Sequence, residues 1–308
     1  MEEARAALAR IPCFADRDLE AATFERLGGL TNRVYRVDID GERFCLRIPG
    51  KGTEDYIDRR VEATNARAAA EAGISPEMLY FDEASGLMLT RFLDGVTTMT
   101  PERFASVEGA VERAARTLRR LHRSGRNFAF HFELFSMIDD YLGVIAKRGA
   151  ALPDGYHEVV AEAEAVREAL AAHPAALAPC HCDPVCENFL DTGERMWIVD
   201  WEYSGMNDPM WDLGDLSVEA SFTPEQDERL LNAYFGGPPE PFDRGRMVVY
   251  KAMCDLLWTL WGLIQHADGN PAEDFWAYAL GRFERCRALM ATAAFREHLE
   301  AVRRGPRG

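Results

Sequence analysis

The run His181-Cys182-Asp183-Pro184-Val185-Cys186-Glu187-Asn188 has the form H-x-D-x-x-x-x-N, and Asp200 follows twelve residues later in Ile198-Val199-Asp200-Trp201-Glu202-Tyr203. Phosphoryl transfer asks for such a set. A carboxylate must orient or accept the proton of an acceptor hydroxyl, while an amide oxygen and a second carboxylate hold magnesium on the phosphates. Two short apolar runs flank Asp191-Thr192-Gly193-Glu194, a hairpin signature. A turn near Gly193–Glu194 sets Asn188 opposite Val199, beside Asp200, at the open end of the ladder. Spacing brings the two candidate ligands together without deciding whether they share a face. The plainer reading is that His181 and Asp183 cap a turn, Asn188 sits in a loop and Asp200 ends a strand. Cys180, Cys182 and Cys186 surround His181 but lack the second pair that structural zinc wants, so they read as buried thiols.

A second constellation lies upstream. Gly28-Gly29-Leu30-Thr31-Asn32 sits between two expected strands. Its glycines allow close backbone approach to phosphates, and Thr31 and Asn32 add polar groups. A plain β-turn has the same composition. Arg47, on a later strand, has the reach to meet phosphates, and Glu62 on the next helix can hold it in place. A solvated Arg and Glu are the alternative. The order of loop, cation, acid and hairpin follows the parts of a phosphotransferase.

These groups need a scaffold. Alternation predicts strands over 34–39 and 44–48 around Asp40-Gly41, with further short strands at 78–82 and 86–92 and a helix over 55–72 stopped by Gly73. From about residue 100, helical periodicity dominates, at 102–124, 133–148, 155–172, 209–220, 225–235, 243–266 and a broken 271–302. No repeat of about 20–50 residues is visible. We expect an α+β, bilobal chain, with a nucleotide-binding lobe over 1–93 built on a small antiparallel sheet and a larger, mostly helical catalytic and acceptor-binding lobe over 94–308.

Thirty-five basic residues against 51 acidic ones leave a formal charge of −16 across 308 residues. Such a surface repels nucleic acid and anionic membrane, and attracts a small cationic ligand. The start is mixed in charge, without a basic then apolar run, so no secretory signal is expected. The apolar window over 247–265 carries Lys251 and Asp255 and reads as a buried helix. Seven cysteines, an odd count, suit reduced thiols and a cytoplasmic location.

On these residues the chain resembles the choline kinases of the kinase-like phosphotransferases, a superfamily that includes aminoglycoside phosphotransferases. The likeness runs from Gly28 to about Arg282. It is carried by Gly29-Leu30-Thr31-Asn32, Leu46-Arg47-Ile48-Pro49-Gly50, Gly73-Ile74-Ser75-Pro76, His181–Leu190 and Val199–Tyr203, continuing to Asp212-Leu213 and Glu219. The resemblance implies the protein kinase-like fold, ATP and Mg2+ as cofactors, Asp183 as catalytic base, and Asn188 and Asp200 as magnesium ligands. It puts Arg47 in the role of the kinase strand lysine and the connector Arg91-Phe92-Leu93 against adenine. The chain departs from the family at Cys182, where Asn is common, at Pro184, and at Asp215, where choline kinases usually carry Asn.

A quaternary ammonium has no N–H to donate, so its recognition rests on aromatic faces and nearby negative charge. Trp258 and Trp261, three apart, share a helix face, as do Phe275 and Tyr278. The resemblance implies a choline cage of Tyr203, Trp258, Trp261 and Tyr278, with Glu202 beside it, and Phe275 where the family tends to have Tyr. By spacing alone these aromatics read as core. The expected activity is transfer of the ATP γ-phosphate to the hydroxyl of choline or a related cationic amino alcohol, without nucleic-acid or membrane partners and with the oligomeric state open. The alternatives are a kinase for ethanolamine, thiamine or an aminoglycoside, and a non-catalytic ligand-binding protein on a kinase-like scaffold.

Overall fold

The computed structural model describes residues 1–28, 32–50 and 57–307. Its ten strands are β1 (Thr23–Gly28), β2 (Arg33–Ile39), β3 (Glu42–Ile48), β4 (Met78–Phe81), β5 (Met88–Arg91), β6 (Thr97–Thr98), β7 (Ala178–Cys180), β8 (Phe189–Asp191), β9 (Met196–Ile198) and β10 (Gly205–Asn207) among the described residues. The helices of the first half are α1 (Glu2–Leu8), α2 (Arg59–Glu71), α3 (Pro101–Ser106), α4 (Ala110–His122), α5 (Leu134–Arg148) and α6 (Tyr156–Ala172). Those of the second half are α7 (Pro209–Glu219), α8 (Pro224–Phe235), α9 (Pro241–Ala267), α10 (Phe275–Met290) and α11 (Ala293–Arg304).

The small lobe is an antiparallel sheet in the order β1-β2-β3-β5-β4. The alternation of β2 buries Tyr35, Val37 and Ile39. They meet Phe44, Leu46 and Leu89 from the neighbouring strands and Leu8, Ile11 and Phe14 from the N-terminal segment. Asp40 and Gly41 both have positive φ, 52° and 77°, as a two-residue hairpin loop requires. The expected helix over 55–72 begins at Arg59, because the Asp58 side chain accepts the backbone N–H groups of Arg60 and Val61 at 2.9 and 3.3 Å. Its expected opening residues 55–56 fall outside the described residues.

The large lobe is built on α9. By length and composition α9 is apolar enough to cross a membrane, with a mean hydropathy of 1.4, yet 83% of that window is buried inside the fold. It packs against α5, α7, α10 and α11 as a core helix. The single helix expected over 102–124 is two, because Gly109 adopts the left-handed conformation and restarts the chain as the N-cap of α4. The hairpin β8–β9 forms in the expected register, with Phe189 opposite Ile198. Two features were not expected. Thr97–Thr98 adds a third strand to that ribbon, and β7 pairs with β10. Strands of two or three residues are too short to show a period of two, so only tertiary pairing reveals them.

Candidate active site

The catalytic-loop candidates occupy the crossing between β7 and β8. The Val199 N–H donates to the Asn188 carbonyl at 3.0 Å, closing the open end of the hairpin. The Asn188 amide nitrogen donates to the Asp183 carbonyl at 3.1 Å. That bond leaves the Asn188 amide oxygen as the group able to meet a cation. His181 is fully buried, and burial lowers its pKa, so its ring is neutral. Its Nε2 lies 2.9 Å from the Val199 carbonyl, which can only accept, so Nε2 carries the proton. The ring braces the loop against the strand that leads to Asp200.

Asp212 carries no role that its spacing predicts, and the structure gives it a specific task. Its two carboxylate oxygens accept the backbone N–H groups of His181 and Cys182, each at 2.8 Å. His122 Nε2 lies 2.9 Å from the oxygen that serves His181, and the other ring nitrogen of His122 meets the Tyr234 hydroxyl at 2.8 Å. The clamp holds Cys182 at φ 67°, a left-handed conformation uncommon for a residue with a side chain. That kink sets the direction in which the chain continues into Asp183. Cys180, Cys182 and Cys186 are buried, and burial pushes all three thiols up in pKa, as expected of packed thiols.

Asp183 has its pKa raised, first by burial, then by the charges of Glu219, Asp200 and Glu202. Asp200 sits at φ 66°, past the end of β9. One of its oxygens meets Arg47 at 3.1 Å and the other lies 3.5 Å from the Asn32 amide nitrogen. Arg47 is ion-paired with Glu62, and a second terminal nitrogen donates to the Gly86 carbonyl at 3.3 Å. Burial opposes the Arg47 charge, but Glu62, Asp200 and Glu202 hold it protonated. Arg47, the helix acid Glu62 and the candidate metal ligand Asp200 are therefore in contact. Arg59 was missed. It joins Glu62 at 2.6 Å to Glu202 at 3.1 Å. Its i,i+3 spacing to Glu62 is visible in the sequence, whereas Glu202 arrives from the other lobe. Glu202 is pushed up to about 7, by burial and then by Asp200.

The carboxylates of Glu62, Asp200 and Glu202 lie within 4.8 Å of one another. All three face arginines, Glu62 and Asp200 meeting Arg47 and Glu202 meeting Arg59, and Glu202 also receives the Asn32 amide at 3.3 Å. Asp200 and the Asn188 amide oxygen are hard oxygen donors of the kind magnesium takes. Thr31, together with Gly29 and Leu30, lies outside the described residues. Of the connector, the Phe92 N–H bonds the Arg43 carbonyl at 3.2 Å. The exposed Arg91 side chain turns to Glu42 at 2.9 Å and Glu77 at 3.4 Å. Phe92 and Leu93 are half-buried.

The aromatics expected to form the cage meet as a set. The Trp261 indole N–H donates to the Tyr203 hydroxyl at 2.9 Å. Tyr203 meets Trp258 edge-on at 5.3 Å between ring centroids, and Trp261 meets Tyr278 and Phe275 at 5.7 and 5.5 Å. Trp258 is buried, while Tyr203, Trp261 and Tyr278 are partly open. Behind them Arg282 pairs with Glu219 and stands 4.6 Å from the Tyr278 ring centre. Asp215, one helical turn before Glu219, accepts the Trp258 indole N–H at 3.2 Å.

Known proteins share this architecture. Residues 23–247 match the phosphotransferase enzyme family. A solved choline/ethanolamine kinase family protein from Mesorhizobium loti is 61% identical, with 99% of both chains covered and a TM-score of 0.90. The choline kinase LicA from Streptococcus pneumoniae is 29% identical over 87% of this chain and 93% of its own, with a TM-score of 0.76. A structure of LicA in complex with AMP is 27% identical over 87% and 91%, with a TM-score of 0.73. The chain belongs to the phosphotransferase enzyme family and, within it, to the choline/ethanolamine kinases.

Proposed function

We propose that the protein transfers the γ-phosphate of ATP to the hydroxyl of choline or a closely related cationic amino alcohol. The observation that carries this reading is the hydrogen-bonded loop and hairpin that hold Asp183, Asn188 and Asp200, together with an aromatic set of Tyr203, Trp258, Trp261 and Tyr278 backed by carboxylates. Aromatic faces attract a quaternary ammonium that cannot donate a hydrogen bond. The formal charge of −16 favours the same ligand at long range. The AMP complex of a relative supports a nucleotide as the phosphate donor.

Arg47 would meet the nucleotide phosphates while Glu62 holds its guanidinium in place. Asn32 brings a polar group from the loop side. The backbone and half-buried side chains of Phe92 and Leu93 would border the base; Arg91 would contribute backbone only, its side chain being held by Glu42 and Glu77. Asn188 and Asp200 would hold magnesium, which supplies neutralisation of the phosphate charge. Asp183 accepts the hydroxyl proton as the acceptor oxygen bonds to the γ-phosphorus and the bond to the departing ADP oxygen breaks. Its raised pKa makes it a stronger base than a solvated aspartate. The test is Asp183→Asn, scored by ADP release and phosphocholine formation with the fold checked by circular dichroism. We expect turnover to fall by about 10³-fold or more, with the spectrum retained. Near-normal turnover removes Asp183 from the mechanism.

A further inference from the structure

Asp215 is a carboxylate beside the aromatic set with one oxygen unpaired. It is fully buried, at 0% exposure. One carboxylate oxygen accepts the Trp258 indole N–H, and the other is buried with no hydrogen-bond partner. An unpaired buried carboxyl oxygen costs about 1–3 kcal/mol or more, so a partner is to be expected when the site is filled. Its own helix supplies none. Glu219, a turn further along, is already paired with Arg282. Arg282 also serves Asp255 at 3.2 Å, and Arg285 completes that acid at 2.6 Å. The negative charge of Glu219 is thus largely compensated, and Arg282 stands over the Tyr278 ring besides.

Resting on the reading of the chain as an amino-alcohol kinase, we propose that Asp215 reads the cationic head of the acceptor, and that its free oxygen admits an ammonium carrying N–H groups alongside a quaternary one. The aromatic set offers the same attraction to both heads. A primary ammonium also needs acceptors for its N–H donors once it leaves water, and a methylated head does not. The free oxygen of Asp215 meets that need beside Trp258. Burial, then Glu219 and Asp183, push its pKa up, and an arriving cation counters that penalty. A role confined to steadying Trp258 needs only an accepting oxygen, which an asparagine would still provide.

The experiment measures kcat/KM with saturating ATP and magnesium for ethanolamine, its mono- and dimethyl derivatives and choline, on the full chain and on Asp215→Asn. The wild type is expected to use ethanolamine with a kcat/KM within about tenfold of that for choline. In Asp215→Asn the ethanolamine-to-choline ratio should fall by about 10-fold or more, graded with the number of N–H groups. An unchanged ratio in a variant that still turns over choline overturns the proposal and leaves the kinase reading standing. So does a wild type that phosphorylates choline but not ethanolamine, an arm that needs no variant to fold. A wild type that phosphorylates neither refutes both readings.

Discussion

Replacing Asp212 by asparagine tests whether the catalytic loop is held from beneath. The carboxylate receives the two backbone N–H groups at 2.8 Å each and stands 2.9 Å from His122. It is wholly buried, so water replaces nothing that is lost. The amide retains one accepting oxygen. Its NH2 must then face a backbone N–H, which leaves a buried donor unpaired at about 1–3 kcal/mol, and the remaining bond loses its charge assistance. A total near 3 kcal/mol is a sizeable part of a stability of about 5–15 kcal/mol. The loop also stores strain, because Cys182 at φ 67° costs about 1–2 kcal/mol that the clamp offsets. Released, the loop relaxes at Cys182, and Asp183, its next residue, moves with it. A misplacement of about 1 Å lowers turnover by about 10²-fold. Urea unfolding and a coupled ADP-release assay read the two effects separately. We expect a lower midpoint and a lower kcat with little change in the KM for ATP, and Cys182→Gly in the same background should recover part of the stability. A variant that loses stability but keeps kcat refutes the positioning argument, and one that keeps both refutes the clamp itself.

Trp258→Leu keeps a smaller apolar side chain and removes the π face and the indole N–H that meets Asp215. Loss of a cation–π contact of about 0.5–2 kcal/mol should raise the choline KM by about 3- to 30-fold while kcat changes less; an unchanged KM breaks the cage assignment. Glu202 gives a pH signature. Its carboxyl is pushed up to about 7, by burial and then Asp200, so the fold favours its protonated form. That contribution is complete below the unfolded pKa of about 4.3 and is lost as pH rises through about 7. Between pH 5 and pH 8 the wild type should therefore lose about 1–3 kcal/mol relative to Glu202→Gln. Parallel unfolding midpoints for the two proteins across that range contradict the assignment.

Much of the site was legible because it lies on local grammar. The spacing of His181, Asp183 and Asn188, and the hairpin that returns the chain to Asp200, are set within twenty residues, and the register follows from one turn. Arg47 and Glu62 were readable for a similar reason, since a strand followed by a helix brings few alternatives. Asp212, Arg59 and Asp215 were not assigned these tasks. Each is an ordinary acid or base in its own helix, and its role is created by a partner far along the chain. Arg59 meets Glu202, 143 residues away, and Asp215 meets Trp258, 43 residues away. The two-stranded pairing of β7 with β10 escaped for want of length.

By itself the sequence determined the two-part architecture, the order of the candidate phosphotransfer groups and a charge suited to a cationic ligand, because periodicity, turn chemistry and composition are local properties. Only the tertiary structure decided which oxygens are already bonded and which are free. It pairs Glu219 with Arg282, commits Asp212 to the loop backbone and leaves one oxygen of Asp215 unmet. Burial makes that difference chemical, since a carboxylate removed from water must find its partners among the groups the fold brings to it.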